Sequence, residues 1–190
     1  MFFAYILVGV LVFWLIAKHM NRQRNHEKAV EKVSGRLKKI CGKPGEVLTN
    51  TTLKLPEGEM TFDAVLMDKR GVYLVRTYGW GIKIYGTPDG AMWRREDAKR
   101  KEEFENPLPE LKRGVSEIAK VMEEKGIRNL KIMPMVVFAD NYQTPELYIG
   151  YGSFSTTYQE LKNWYKKQSG VKEVQYDYDK VSSIIKGLVK

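Results

Sequence analysis

The sequence predicts an α/β domain built on a mixed sheet flanked by helices, preceded by one apolar N-terminal helix. Three observations carry this prediction. Two β-rich runs, TFDAVLMD (61–68) and GVYLVRTY (71–78), stand next to each other with Lys69 and Arg70 between them, which is a hairpin signal. A helical period follows, opened by Asn106 and Pro107 and closed by Gly126. An apolar run characteristic of a buried strand, KIMPMVVFAD (131–140), then precedes further helical segments. Strands first, then helix and strand in alternation, give an α/β layering.

Taken in chain order, residues 1–17 contain no charged side chain and as a helix would extend about 25 Å at roughly 1.5 Å per residue, close to the thickness of a bilayer core. A cleaved secretory signal wants positive charge before the apolar run and a small-residue cleavage site after it. Here Lys18, Arg22, Arg24 and Lys28 follow the run instead. The expectation is an uncleaved single-pass anchor over residues 1–20, in a cell membrane, with the N-terminus outside and the remainder cytoplasmic. The single cysteine, Cys41, fits a reducing compartment.

The formal charge of +9 is unevenly placed. Nine Lys or Arg between Lys18 and Lys43 stand against Glu27 and Glu31, a net +7, which leaves +2 for residues 44–190. A basic segment directly after an apolar helix reads as a topology signal and as attraction to anionic headgroups rather than as a DNA-binding surface. Val30, Val33, Leu37 and Ile40 recur at helical spacing, so residues 21–41 are expected to form a basic amphipathic helix next to the membrane. Residues 42–190 are then the folded α/β domain.

Within that domain, EVLTNTTLKL (46–55) reads as short helical or irregular structure, and PEGE as a turn. After the 61–78 hairpin, IKIYG and AMWRRE are further strands around a TPDG turn. Lys99, Arg100 and Lys101 sit among Glu96, Asp97, Glu102, Glu103 and Glu105, so that stretch reads as a solvated mixed-charge segment. The 106–126 helix should bury Leu111, Val115, Ile118, Ala119 and Met122. ELYIGY is a short strand, Ser155 or Thr156 is expected to cap a helix over TYQELKNWYKKQ, and DYDKVSSIIKGLVK is a terminal helix. Trp164 and Tyr165 suit either core packing or a position near headgroups.

The inventory excludes several chemistries. GYGSFS lacks the spacing of a phosphate-binding loop. One Cys and two His, with His19 and His26 both in the basic segment, leave no zinc site and no histidine triad for the domain. Carboxylate chemistry remains. Read alone, Asp63 is a carboxylate paired with a strand neighbour, and Glu46 a surface or capping group. Trp80 and Trp93 read as packing residues, although exposed aromatics beside basic residues also stack on unpaired bases.

The order of features adds to this. Gly42 to Glu46 as G-x-x-G-E, Asp63 inside Phe62-Asp63-Ala64-Val65, Gly71 to Val75, Gly81, Ile84 to Gly86, Trp93 and Asn106-Pro107 together resemble the nuclease-related domain (NERD) family over about residues 36–140. The resemblance implies the restriction-endonuclease-like fold and Mg²⁺-dependent phosphodiester hydrolysis. In that chemistry a glutamate, a strand aspartate and a Glu-x-Lys on the neighbouring strand surround the metal. Residues two apart on a strand share a face, so carboxylate and ammonium converge on one phosphate. Carried over, the glutamate falls on Glu46 and the aspartate on Asp63, but Glu-x-Lys falls on Arg76-Thr77-Tyr78, and the family's glutamine on Glu110.

The resemblance therefore implies a catalytically degenerate domain, a pseudoenzyme acting as a binding or scaffolding module for DNA or a protein. No cofactor is expected, with Mg²⁺ on Glu46 and Asp63 only if it is active. Trp80, Lys83 and Asn106 are the candidate nucleic-acid or partner contacts. With Val72, Leu74, Arg76 and Tyr78 on one strand face, Arg76 is expected to replace the metal by bridging Glu46 and Asp63. The alternative is an active Mg²⁺-dependent DNA nuclease rebuilt from Glu110, Glu59 or another migrated carboxylate, with Lys83 or Arg76. A structural domain without a ligand site is the third reading.

Overall fold

A computed structural model describes residues 2–23, 26–140, 143–168 and 176–190. Arg24, and the side chains of Lys18, His19 and Arg22, lie outside the described residues. The elements are α1 (Phe2–Gln23), α2 (His26–Cys41), β1 (Glu46–Leu55), β2 (Gly58–Asp68), β3 (Gly71–Tyr78), β4 (Lys83–Gly86), β5 (Met92–Glu96), β6 (Lys101–Glu105), α3 (Leu108–Glu124), β7 (Ile132–Phe138), β8 (Glu146–Ile149), β9 (Ser155–Thr157), α4 (Leu161–Gln168) and α5 (Tyr178–Gly187).

The mixed α/β architecture is as the sequence predicts, with two sheets instead of one. The larger runs β1-β2-β3-β7-β9, the smaller β6-β5-β4-β8. β1, β2 and β3 form an antiparallel meander, and β7 joins β3 in parallel with Arg76 opposite Val136. Helices cover both faces of the larger sheet. On one, Val33 and Leu37 of α2 and Leu161 and Tyr165 of α4 pack on Ala64, Leu66, Tyr73 and Val75. On the other, Leu111, Ile118 and Met122 of α3 and Val181 and Ile185 of α5 pack on Phe62, Val65 and Leu74, joined by Ile84 and Trp93 of the smaller sheet. Alternation along β3 makes this possible: Val72 and Leu74 enter one core, Tyr73 and Val75 the other. Phe62 and Ala64, two apart on β2, also enter opposite cores, so alternation is broken at Asp63, which lies beside the left-handed Asn50 of β1 (φ 49°).

Several expectations change. The 46–55 segment is a strand, because its Thr and Val side chains fit a pleated surface and it zips onto β2 from Glu46 opposite Met67 to Leu55 opposite Gly58. The mixed-charge 96–105 stretch contains β6, whose charges are cross-strand partners: Arg95 meets Glu102 at 3.1 Å and Glu96 meets Lys101 at 3.6 Å. Ser155 to Thr157 form β9 alongside β7, and α4 starts only at Leu161, its entry tied by the Glu160 N–H donating to Thr157 Oγ1 at 3.2 Å. The basic helix is not a mere connector. Val30, Val33 and Leu37 of α2 are wholly buried, making it one layer of the domain.

The membrane span expected over residues 1–20 is not found: among the described residues no helix is long and apolar enough to cross a membrane. The described side chains of α1 are uncharged from Tyr5 to Ala17, thirteen residues or about 20 Å of helix, against a hydrocarbon core of about 30 Å. Its large apolar side chains from Tyr5 to Ile16 are all exposed.

Candidate functional site

Asp63 anchors the site. It lies on β2 where alternation breaks, and is 4 % exposed. Its Oδ2 accepts the backbone N–H of Thr77 on β3 at 2.6 Å. Its Oδ1 faces His26 Nε2 at 3.2 Å and Arg76 Nη1 at 3.6 Å.

Arg76 leaves β3 on the α3 side. Its Nη2 donates to Glu110 Oε2 at 2.8 Å and to the Thr61 carbonyl at 3.2 Å. The guanidinium thus joins Asp63 on the sheet to Glu110 in the first turn of α3. Glu46 is not its partner. Glu46 is opposite Met67, four residues along β2 from Asp63 and so roughly 13 Å away at about 3.3 Å per residue. Its Oε2 meets Lys186 Nζ of α5 at 2.7 Å and lies 3.4 Å from Ser182 Oγ. The bridge expected between Glu46 and Asp63 is therefore a bridge between Asp63 and Glu110.

A cleft of about 250 Å³ opens beside this cluster, lined by His26, Arg76, Thr77, Tyr78, Trp80 and Arg95 together with Gly79. Tyr78 forms its aromatic wall, with ring centroids 4.8 Å from Phe104 and 5.4 Å from Phe138. Burial pushes its phenol up to about 12, a rise that Arg76 and Arg95 oppose. Arg95 lies over Trp80 at 4.2 Å and Arg100 over the same ring at 4.6 Å, so the indole carries two guanidiniums. Two of the lining residues carry a buried polar atom with no hydrogen-bond partner, Thr77 Oγ1 and Arg95 Nε. Such atoms are costly unless a ligand or water completes them.

The other sequence candidates sit elsewhere. Lys83 is exposed on β4, opposite Glu96 and Glu146. Asn106 is buried and fully engaged: Nδ2 donates to the carbonyls of Pro88 (3.0 Å) and Gly90 (2.7 Å), and Oδ1 accepts from Leu108 N–H at 2.9 Å. Its work is to fix the entry to α3. Glu59 pairs with Lys190 at 2.9 Å, at the turn between β1 and β2. Trp93 is a core residue, 1 % exposed, with Nε1 donating to the Thr87 carbonyl at 2.8 Å.

Sequence reasoning missed His26, Thr77 and Arg95. The exclusion of histidine from the domain is corrected here, because α2 packs on the sheet and delivers its first residue to Asp63. No local signal joins residues 37 apart. For Arg95 a signal exists in the opposite charges of 94–96 and 101–103, which are those of a hairpin.

Mg²⁺ takes near-octahedral oxygen ligands at about 2.0–2.1 Å. Asp63 is the single carboxylate of the implied ligand set in this cluster, both its oxygens are already engaged, and the Arg76 guanidinium lies 3.6 Å from one of them. The residues as placed do not fit the ion. Among the described residues, no group of three or more His, Cys, Asp or Glu side chains is arranged to hold a metal.

An uncharacterized protein of Bacillus anthracis is 29 % identical over 127 residues, covering 65 % of this chain and 59 % of that protein. The chain thus spans less than two thirds of that relative's length. No solved structure matches. The family model of the nuclease-related domain matches residues 23–139, from the last residue of α1 to just past β7, and so takes in His26, Asp63, Arg76 and Glu110. The chain belongs to the nuclease-related domain (NERD) family.

Proposed function

We propose that this domain binds a nucleic-acid strand without cleaving it, held at a membrane by α1. The observation that carries the reading is Arg76: its guanidinium lies 3.6 Å from Asp63 and 2.8 Å from Glu110. A permanent cation between two carboxylates repels a divalent ion and neutralises them without one. Arg95 lines the cleft and Arg100 lies beside it on the Trp80 ring, and although both also meet Glu102, two guanidiniums against one carboxylate suit a phosphate, with the indole beside them for a base. Membrane attachment is supported by the exposed apolar side chains of α1.

A second reading, an active Mg²⁺-dependent nuclease, is favoured by one feature. Asp63 and Glu110 reach the same guanidinium, so withdrawal of Arg76 would leave two carboxylates facing one another. One experiment separates the two. The full chain in mild detergent is incubated with labelled single- and double-stranded DNA, with Mg²⁺ or Mn²⁺. Retarded but intact DNA, released by Arg95→Gln, is the expected result. Cleavage that Asp63→Ala abolishes would overturn the proposal in favour of the nuclease, and absence of both binding and cleavage would favour a protein ligand.

A further inference from the structure

We infer that the groove between α2 and α4 is a second anion site, one that takes a phosphate group, and that the phosphate belongs to an anionic phospholipid. The groove lies on the α2 side of the larger sheet and encloses about 460 Å³, within the roughly 300–1,000 Å³ of ligand pockets. Its construction follows from helical spacing. While Val30, Val33 and Leu37 point into the core, Lys32, Arg36 and Lys39 fall four and three residues apart, which places them along one neighbouring stripe of α2. Lys162 of α4 lines the groove as well, and Glu31 is the one carboxylate among the lining residues.

Tyr158, directly after β9, gathers the cations. Lys32 Nζ lies 4.4 Å and Arg36 Cζ 4.6 Å from its ring centroid, so one ring positions two cations of the groove. Arg36 Nη2 donates to the Gln159 carbonyl at 3.2 Å, which fixes the guanidinium, while its Nε is buried with no hydrogen-bond partner. The fork of a guanidinium flanked by ammoniums matches the oxygens of a phosphate. Ile40 gives the groove an apolar wall, which suits a phosphate ester better than the bare ion. The choice of a lipid as the source rests on the membrane attachment proposed above. α2 begins three residues after α1 ends, and the apolar side chains of α1 are exposed.

The test uses the full chain, floated with vesicles of phosphatidylcholine alone or with phosphatidic acid added. Binding to phosphatidylcholine alone reads α1; the increment from phosphatidic acid reads the groove, so failure of one is distinguishable from failure of the other. The expected increment is about tenfold or more in bound fraction. It should be lost in Lys39→Gln/Lys162→Gln, whose exposed rim residues are dispensable for folding, and in Arg36→Gln. It should survive in Lys112→Gln/Lys125→Gln, which removes the same charge from α3 and its end. Equal loss in both double variants would show diffuse electrostatics and overturn the site, as would no loss in either. Inorganic phosphate at millimolar concentration is the second arm. If it raises the melting temperature through Arg36 while phosphatidic acid gives no increment, the lipid assignment is overturned and a soluble phosphate takes its place.

Discussion

Replacing Asp63 by Ala should destabilise the domain by about 3 kcal/mol. Two terms set the size. The Thr77 N–H at 2.6 Å loses a charged acceptor in a buried place, and hydrogen bonds to charged groups are worth about 1.5–3 kcal/mol. Arg76 loses one partner but keeps Glu110 and the Thr61 carbonyl, so the cost stays at the lower end of the roughly 3–5 kcal/mol seen when a buried pair is broken. Asp63→Asn keeps an acceptor for Thr77 and should cost about half as much. For a chain of this size each kcal/mol shifts the melting temperature by about 2–4 °C, so a thermal melt should fall by about 6–12 °C for the alanine variant and about 3–6 °C for asparagine. Urea unfolding, followed by tryptophan fluorescence to which the buried Trp93 contributes, gives the same quantities at fixed temperature. A loss under about 1 kcal/mol for Asp63→Ala, or an equal loss for both variants, would refute the assignment of Asp63 as the bond that ties β2 to β3 at the cleft.

Gly114 on α3 should resist Ala despite the helix propensity gained. A Cβ there would stand 2.8 Å from Phe62 Cζ and 3.2 Å from Leu74 Cδ1, both wholly buried. Overpacking of about 1–3 kcal/mol outweighs the roughly 1 kcal/mol that Ala contributes, so Gly114→Ala should lower the melting temperature, and a rise would contradict the packing described. Glu117, in contact with Lys120 Nζ at 2.6 Å and with the Glu57 N–H at 3.1 Å, is held below the usual carboxylate range chiefly by the Lys120 contact. A carboxylate so lowered stabilises fully above its unfolded value of about 4.3 and loses that contribution as pH falls from there through the folded value. Glu117→Gln should therefore flatten the fall in melting temperature between about pH 5 and pH 3, and identical profiles would count against the pair.

The hairpin of β2 and β3, the faces of β3 and the helix opened at Asn106 are legible because each rests on neighbours in the chain: alternation at period two, or a cap and a stop around a period of 3.6. β1 and β6 are less so. Thr-rich or charge-rich segments carry weak patterns of their own, and their strand character comes from the partner they pair with, β2 for one and the opposite charges of β5 for the other. The basic charge of 21–41 is plain in composition, but that the apolar stripe of α2 faces the sheet instead of a bilayer depends on what lies beside it.

By itself the sequence determined that Asp63 and Arg76 stand on adjacent strands, and the family resemblance led to the expectation that Arg76 takes the third position of the nuclease motif beside Glu46. Tertiary structure decided who meets whom. Glu110 and His26 come to the cluster from helices on opposite faces of the sheet, while Glu46 is carried about four residues away along β1 to Lys186. Local periodicity assigns a side chain to a face; only the packing of layers assigns it a partner. That is why Arg76 was expected in the place of a metal, and why the carboxylate on its far side could be found only from the fold.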